Sequence, residues 1–110
     1  MLVLGVAYKK DVDDIRESPA VKIITLLQDK GANISYHDPY IPVIRGMRKY
    51  PELVMEGVEL TEDNLAAADC MLLITNHSCF DYGWILEHSG LVVDTRNGFG
   101  KWGSEKVIKA

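Results

Sequence analysis

Two stretches of this sequence place cations where an anion could be held. Tyr8-Lys9-Lys10 leaves the apolar run at residues 2–6, and Ser18-Pro19 follows after a loop dense in charge of both signs. Ser is a favoured N-cap and Pro a favoured first helical residue, so a helix is expected to start there. The unpaired N–H groups and dipole of a helix start favour negative charge. Lys9 offers a compact point charge for a phosphate or carboxylate, and Arg16 a planar fork that suits phosphate or ribose oxygens. The second stretch is Asp94-Thr95-Arg96-Asn97, after the last long apolar run. If Arg96 and Lys9 face one edge, two cations from separate strands can clamp a diphosphate. A plainer reading stands beside each. Lys10, Asp11, Asp13, Asp14, Arg16 and Glu17 can pair with one another at the surface, where such pairs contribute little, and Arg96 can pair with Asp94.

Other reactive residue types are present without the partners that chemistry needs. His77, in Asn76-His77-Ser78, follows an apolar run, but no serine or cysteine stands in a recognisable nucleophile turn beside it. His37-Asp38-Pro39-Tyr40 reads as a turn that ends a strand, and His88 as a helix residue at or near the surface. Three histidines so scattered have no metal-ligand spacing. Trp84 and Trp102 read as core or interface anchors. Cys70 and Cys79 match no zinc or disulfide framework; Cys70 is expected in the core and Cys79 in a loop. No G-x-G-x-x-G or phosphate-loop pattern follows the first strand, where only Gly5 stands near a suitable position.

These residues need elements to position them. The apolar run at 2–6 suits a strand covered on both faces. Val21, Ile23, Ile24, Leu26 and Leu27 have helical spacing, closed by Gly31. Ile34 and Tyr36 open a second strand, giving a strand-helix-strand unit with parallel strands and a right-handed crossover. Residues 39–57 read as irregular and Val58–Leu60 as a short strand. Thr61 is expected to cap a brief helix through Ala68. A strand over 71–75, a helix over 81–87 and a strand over 91–94 complete the alternation. The tail from Ser104 has room for a turn or two of helix. The expected fold is therefore α/β: a three-layer α/β/α sandwich with a mostly parallel, Rossmann-like sheet. Ligands of such sheets bind beyond the carboxyl ends of the strands, which selects the loops at 7–17, 37–42, 75–80 and 94–100.

Composition sets outer limits. At 110 residues, 47% apolar and 25% charged, the chain is expected to form one globular domain over 1–110. A net charge of -4 argues against a general nucleic-acid surface but not against a local basic pocket. The apolar runs are too short for a membrane span, and no signal peptide is evident. The cysteine usage suits a reducing cytoplasm. The abrupt start at Met1-Leu2-Val3 is one a native protein can have, and it is also how a domain cut from a longer chain looks.

The stretch from Leu4 to Ala20, Leu-Gly-Val-Ala-Tyr-Lys-Lys-Asp-Val-Asp-Asp-Ile-Arg-Glu-Ser-Pro-Ala, resembles the opening of the C-terminal domain of UDP-glucose/GDP-mannose dehydrogenases. The likeness continues in order through Gly31-Ala32, Tyr36-His37-Asp38-Pro39, Ala68-Asp69, Thr75-Asn76-His77 and Val93-Asp94-Thr95-Arg96-Asn97, so it covers essentially the whole chain. It implies the nucleotide-sugar-binding domain of an enzyme that oxidises a sugar 6-hydroxyl to a carboxylate with NAD, for polysaccharide precursors. Tyr8 and Lys9 match the family's substrate contacts, Arg96 its substrate-binding arginine, and Arg16 an arginine that reaches NAD held on another domain. The resemblance implies an N-terminal NAD-binding domain and a dimerising middle region, absent here, and a homo-oligomer at full length. The family's nucleophilic cysteine lies in a G-G-x-C-x-P-K-D segment that neither Cys70 nor Cys79 resembles, so the chain alone is expected to be inactive. The forms Asp-Asp-Ile-Arg-Glu-Ser-Pro and Asn76-His77-Ser78 look most like UDP-N-acetyl-hexosamine 6-dehydrogenases. Two other readings stay open: a stand-alone nucleotide-binding or regulatory module, and a small hydrolase-like enzyme using His77.

Overall fold

Leu2, Val3 and Leu4 are all buried, and the alternation of their side chains divides the interior in two. In a computed structural model that describes residues 1–16 and 18–110, the elements in chain order are β1 (Leu2–Leu4), α1 (Pro19–Asp29), β2 (Ser35–His37), β3 (Val43–Ile44), β4 (Met55–Glu56), α2 (Glu62–Ala67), β5 (Met71–Leu73), α3 (Tyr82–His88), β6 (Val92–Asp94) and β7 (Val107–Lys109). Leu2 and Leu4 face one layer with Leu65 of α2, Met71 and Leu73 of β5, Ile85 and Leu86 of α3 and Val92 of β6. Val3 faces the other, with Ala20 and Ile24 of α1, Tyr36 of β2 and Ile44 of β3. Helices thus cover both faces of one sheet, as expected for the three-layer sandwich. Each fully buried aliphatic side chain contributes about 1.5–3 kcal/mol.

The sheet runs β2-β1-β5-β6-β7, every neighbouring pair parallel. Counting only its own strands, the order is 2-1-3-4-5. In that order successive connections leave β1 in opposite directions, so the carboxyl ends of β1 and β5 form the switch point at which such sheets bind ligands.

Local chemistry sets the helix starts. Ser18 caps α1, its Oγ accepting from the Ala20 amide at 3.2 Å and donating to the Val6 carbonyl at 2.7 Å. Thr61 caps α2 through the Asn64 amide at 3.1 Å, and Asp81 caps α3 through the Trp84 amide at 3.1 Å. At the far end of α1, Gly31 adopts φ +92°, and its amide bonds Gln28 O at 2.9 Å.

The structure corrects several expectations. Residues 39–57 contain the antiparallel pair β3–β4, whose Ile44 fills the α1-side core. Val58–Leu60 is not a strand; Val58 instead joins β2 by single bonds, its amide to Tyr36 O at 2.8 Å and its carbonyl to His37 Nδ1 at 2.7 Å. The tail is not helical but forms β7, because β6 presents an open edge that Val107–Lys109 can pair. Cys70 is only partly buried, since it lies just ahead of β5 rather than within it.

Candidate functional site

The loop after β1 turns sharply at its first residue. Gly5 adopts φ +82°, and a Cβ there would stand 2.2 Å from the Thr75 carbonyl oxygen. The main chain can therefore press against the end of β5 only with glycine. The next amides, Val6 and Ala7, both donate to Asp38 Oδ2, at 2.8 and 3.0 Å. Asp38 is 4% exposed and sits directly after β2. Its other oxygen accepts from the Tyr40 amide at 2.8 Å. Tyr8, Lys9 and Lys10 then emerge into solvent.

Asp11 closes this excursion in the left-handed region, φ 63°. Its amide donates to His77 Nδ1 at 2.8 Å, and its carboxylate accepts from Ser78 N at 2.7 Å and Ser78 Oγ at 2.6 Å. Those Ser78 bonds, chiefly that of the side chain, hold the Asp11 carboxyl below its ordinary range.

His77 is fully buried between these loops. Nδ1 accepts a main-chain proton, so the ring proton sits on Nε2 and is donated to Asp38 Oδ2 at 2.8 Å. Both nitrogens are engaged inside the protein, which leaves the hydrolase-like reading without a free base. Tyr40 packs on the ring, centroid to centroid 4.7 Å. Tyr82 donates its hydroxyl to the His77 carbonyl at 2.8 Å, and burial pushes the Tyr82 phenol up to about 12.

On β6, Asp94 is 1% exposed and organises the loop that follows. Its carboxylate accepts from the amides of Arg96 at 3.0 Å, Gly98 at 3.1 Å and Phe99 at 3.0 Å. Asn97 is left-handed there, φ 57°. The Arg96 side chain is not paired to Asp94. Its Nε donates to the Ile74 carbonyl at 2.9 Å, so the guanidinium leans from β6 over the end of β5. A crevice of about 460 Å³ opens beside it, lined by Asp94, Thr95, Arg96, Asn97, Lys109 and Ala110.

Arg16 follows the plainer expectation for its loop. Its Nε and a terminal nitrogen form a fork on Asp14, each at 3.1 Å. The pair holds the Asp14 carboxyl low and raises Arg16, and the guanidinium is still 84% exposed. Asp13 is exposed, and Glu17 lies outside the described residues.

Parallel strands place the loops bearing Tyr8 and Lys9 and that bearing Arg96 at the same sheet edge, with β5 between them. Among the described residues no hydrogen bond or ion pair links Lys9 to Arg96, while Arg16 stands apart with Lys22, Arg48 and Lys49 around a cleft of about 450 Å³. The sequence reading passed over Lys109, which only the unexpected β7 brings beside Arg96. It also passed over Asp38, whose visible signal was an aspartate before proline at a strand end, a turn signature that says nothing of distant partners. Among the described residues no group of three His, Cys, Asp or Glu could hold a metal, and no helix is long and apolar enough to cross a membrane.

Fold and site together define a doubly wound α/β domain that offers cations at the carboxyl edge of its sheet and keeps its one buried histidine for internal bonds. A family model, the UDP-glucose/GDP-mannose dehydrogenase family, UDP binding domain, matches residues 2–101, and the chain belongs to that family. It is 34% identical over 107 residues to a UDP-glucose 6-dehydrogenase of Rhizobium meliloti, a match covering 90% of this chain and 23% of that protein. It is 32% identical over 109 residues to an NDP-N-acetyl-D-galactosaminuronic acid dehydrogenase of Ralstonia solanacearum, covering 94% of this chain and 23% of the relative. The chain therefore spans about a quarter of the length of these relatives. Among solved structures, a UDP-N-acetyl-mannosamine dehydrogenase from Staphylococcus aureus superposes with a TM-score of 0.65 at 29% identity, over 98% of this chain and 24% of that one. GDP-mannose dehydrogenase from Pseudomonas aeruginosa shares the fold, with a TM-score of 0.73 at 21% identity over 98% of this chain and 27% of that one.

Proposed function

We propose that this chain is the substrate-holding domain of an NAD-dependent nucleotide-sugar 6-dehydrogenase, with Lys9 and Arg96 gripping the diphosphate and Tyr8 lying against the nucleotide-sugar. The observation that carries the reading is the Arg96–Ile74 bond. It draws a guanidinium from β6 over the end of β5, at the sheet edge where the loop after β1, with Lys9, also emerges. The gripping groups are exposed side chains on pinned main chain, which is how an anion can be both reached and oriented.

The cofactor fits this chain only at an edge. The loop after β1 has no glycine-rich phosphate cradle, so NAD would rest mainly on another domain. Arg16, forked to Asp14 yet exposed, could meet one of its polar groups from this side. When bound, NAD would accept the hydride; this chain's residues would bind and orient the sugar nucleotide. The reading includes further domains of a longer protein, assembly into a homo-oligomer through them, and a cytoplasmic setting in keeping with the free thiols Cys70 and Cys79.

Calorimetric titration with UDP, UDP-glucose, UDP-N-acetylglucosamine and GDP-mannose tests the proposal. UDP-sugars should bind, and Lys9→Ala should weaken them by about 1–3 kcal/mol, the scale of a charge-assisted contact. An unchanged affinity in Lys9→Ala removes Lys9 from the site; no heat with any of the four ligands removes the reading.

A further inference from the structure

His77 has no free nitrogen for a substrate, yet it is fully buried beside the loop that carries the proposed gripping Lys9. Its two bonds point to what it does. On one side, Nε2–H meets Asp38 Oδ2, the same oxygen that takes the amides of Val6 and Ala7. On the other, Nδ1 takes the amide of Asp11. The residues between Ala7 and Asp11 are Tyr8, Lys9 and Lys10. Asp38 therefore holds the near end of the short segment that carries the proposed gripping cation, and the imidazole seated against Asp38 holds the far end. The neighbouring Ser78 adds a clasp through Asp11, with its amide and hydroxyl at 2.7 and 2.6 Å. Asp11 is in the left-handed conformation, φ 63°, which aspartate enters more readily than most non-glycine residues.

We infer that His77 is a positioning residue for nucleoside-diphosphate binding: wedged between Asp38 and Asp11, it sets the main-chain path of Tyr8-Lys9-Lys10 and so the place of the Lys9 ammonium. The inference rests on the reading that Lys9 meets the diphosphate. A precise anchor matters there because a long lysine side chain on a mobile loop loses conformational freedom when it binds, and a loop already held spends less.

The two ring nitrogens can be tested separately. In H77Q the amide nitrogen stands near the place of Nε2 and can still donate to Asp38, but no acceptor remains for the Asp11 amide. In H77N the side-chain oxygen stands near the place of Nδ1 and keeps that acceptor. Titration of the whole chain with UDP should show H77Q binding about tenfold more weakly, the worth of one hydrogen bond, and H77N recovering most of that loss. Amide hydrogen exchange without ligand should be faster at Tyr8–Asp11 in H77Q and unchanged at Ile24 in α1. Faster exchange with unchanged UDP affinity overturns the inference, as does an equal loss in H77Q and H77N. If H77Q does not fold, S78A serves, since it removes the hydroxyl half of the clasp from an exposed residue. Faster Asp11 exchange in S78A with unchanged UDP affinity then overturns it, since loosening the segment would not have displaced Lys9. If the unsubstituted chain binds no UDP, the site reading fails on its own account, and the exchange at Tyr8–Asp11 in H77Q or S78A still decides whether the loop is held this way.

Discussion

Asp11 shows how one residue's charge can be read through its pH response. Its carboxylate accepts two hydrogen bonds from Ser78, which favour the ionised form and hold its pKa below the ordinary 3.8; nearby Lys10 acts in the same direction. A carboxyl lowered in the folded state contributes its stabilisation fully above the ordinary value and loses it as pH falls through the folded one. The Ser78 amide resonance should therefore stay unmoved from neutral pH down to about 3.8 and shift only in more acid solution. A midpoint at or above the ordinary carboxylate value would show that the clasp does not form. The same residue-scale logic separates Arg16 from Arg96. Arg16 is held by the Asp14 carboxylate, an exposed pair of small energetic weight, whereas Arg96 is aimed by a neutral main-chain carbonyl.

At the scale of elements, the site depends on how closely the end of β1 approaches β5. Gly5→Ala would put a methyl group 2.2 Å from Thr75 O and 2.8 Å from Thr75 Cβ, at a φ of +82° that alanine disfavours. The clash is with main chain and cannot be relieved by turning a side chain. Denaturant unfolding should show a loss of about 3 kcal/mol or more. Gly31 has a similar φ of +92° but open space around it, so Gly31→Ala should cost only the backbone term, about 1–2 kcal/mol. Equal losses at the two positions would mean that the β1–β5 contact is looser than these distances say.

For the molecule as a whole, the decisive fact is proportion. The chain covers about a quarter of its dehydrogenase relatives, and the expectation of inactivity made from its sequence can be tested on it directly. His77 is locked between two loops; Cys79 is exposed in a turn and Cys70 lies just ahead of β5. Mixed with NAD and UDP-glucose or UDP-N-acetylglucosamine, the purified chain should produce no reduced nicotinamide above background. Measurable reduction would show that a base and a nucleophile had been overlooked.

Most of the architecture was legible in the order of residues because it is written locally. The apolar run at Leu2–Leu4, the Ser18-Pro19 start, the helical spacing from Val21 to Leu27 and the closing Gly31 each act within a few positions of themselves. So do the Thr61 and Asp81 caps. The long motif from Leu4 to Ala20 pointed to the family, which the match over residues 2–101 shows. Only tertiary structure could decide what joins residues far apart in the chain. Asp38 and His77 are 39 positions apart, and Asp11 and Ser78 are 67; no local pattern states either pairing. A tail read as helix became β7 because β6 offered unpaired main-chain groups, and β3 with β4 arose where proline and glycine had suggested irregular chain. Periodicity records which faces are buried, but a hydrogen bond between loops exists only once the sheet has brought their strand ends together.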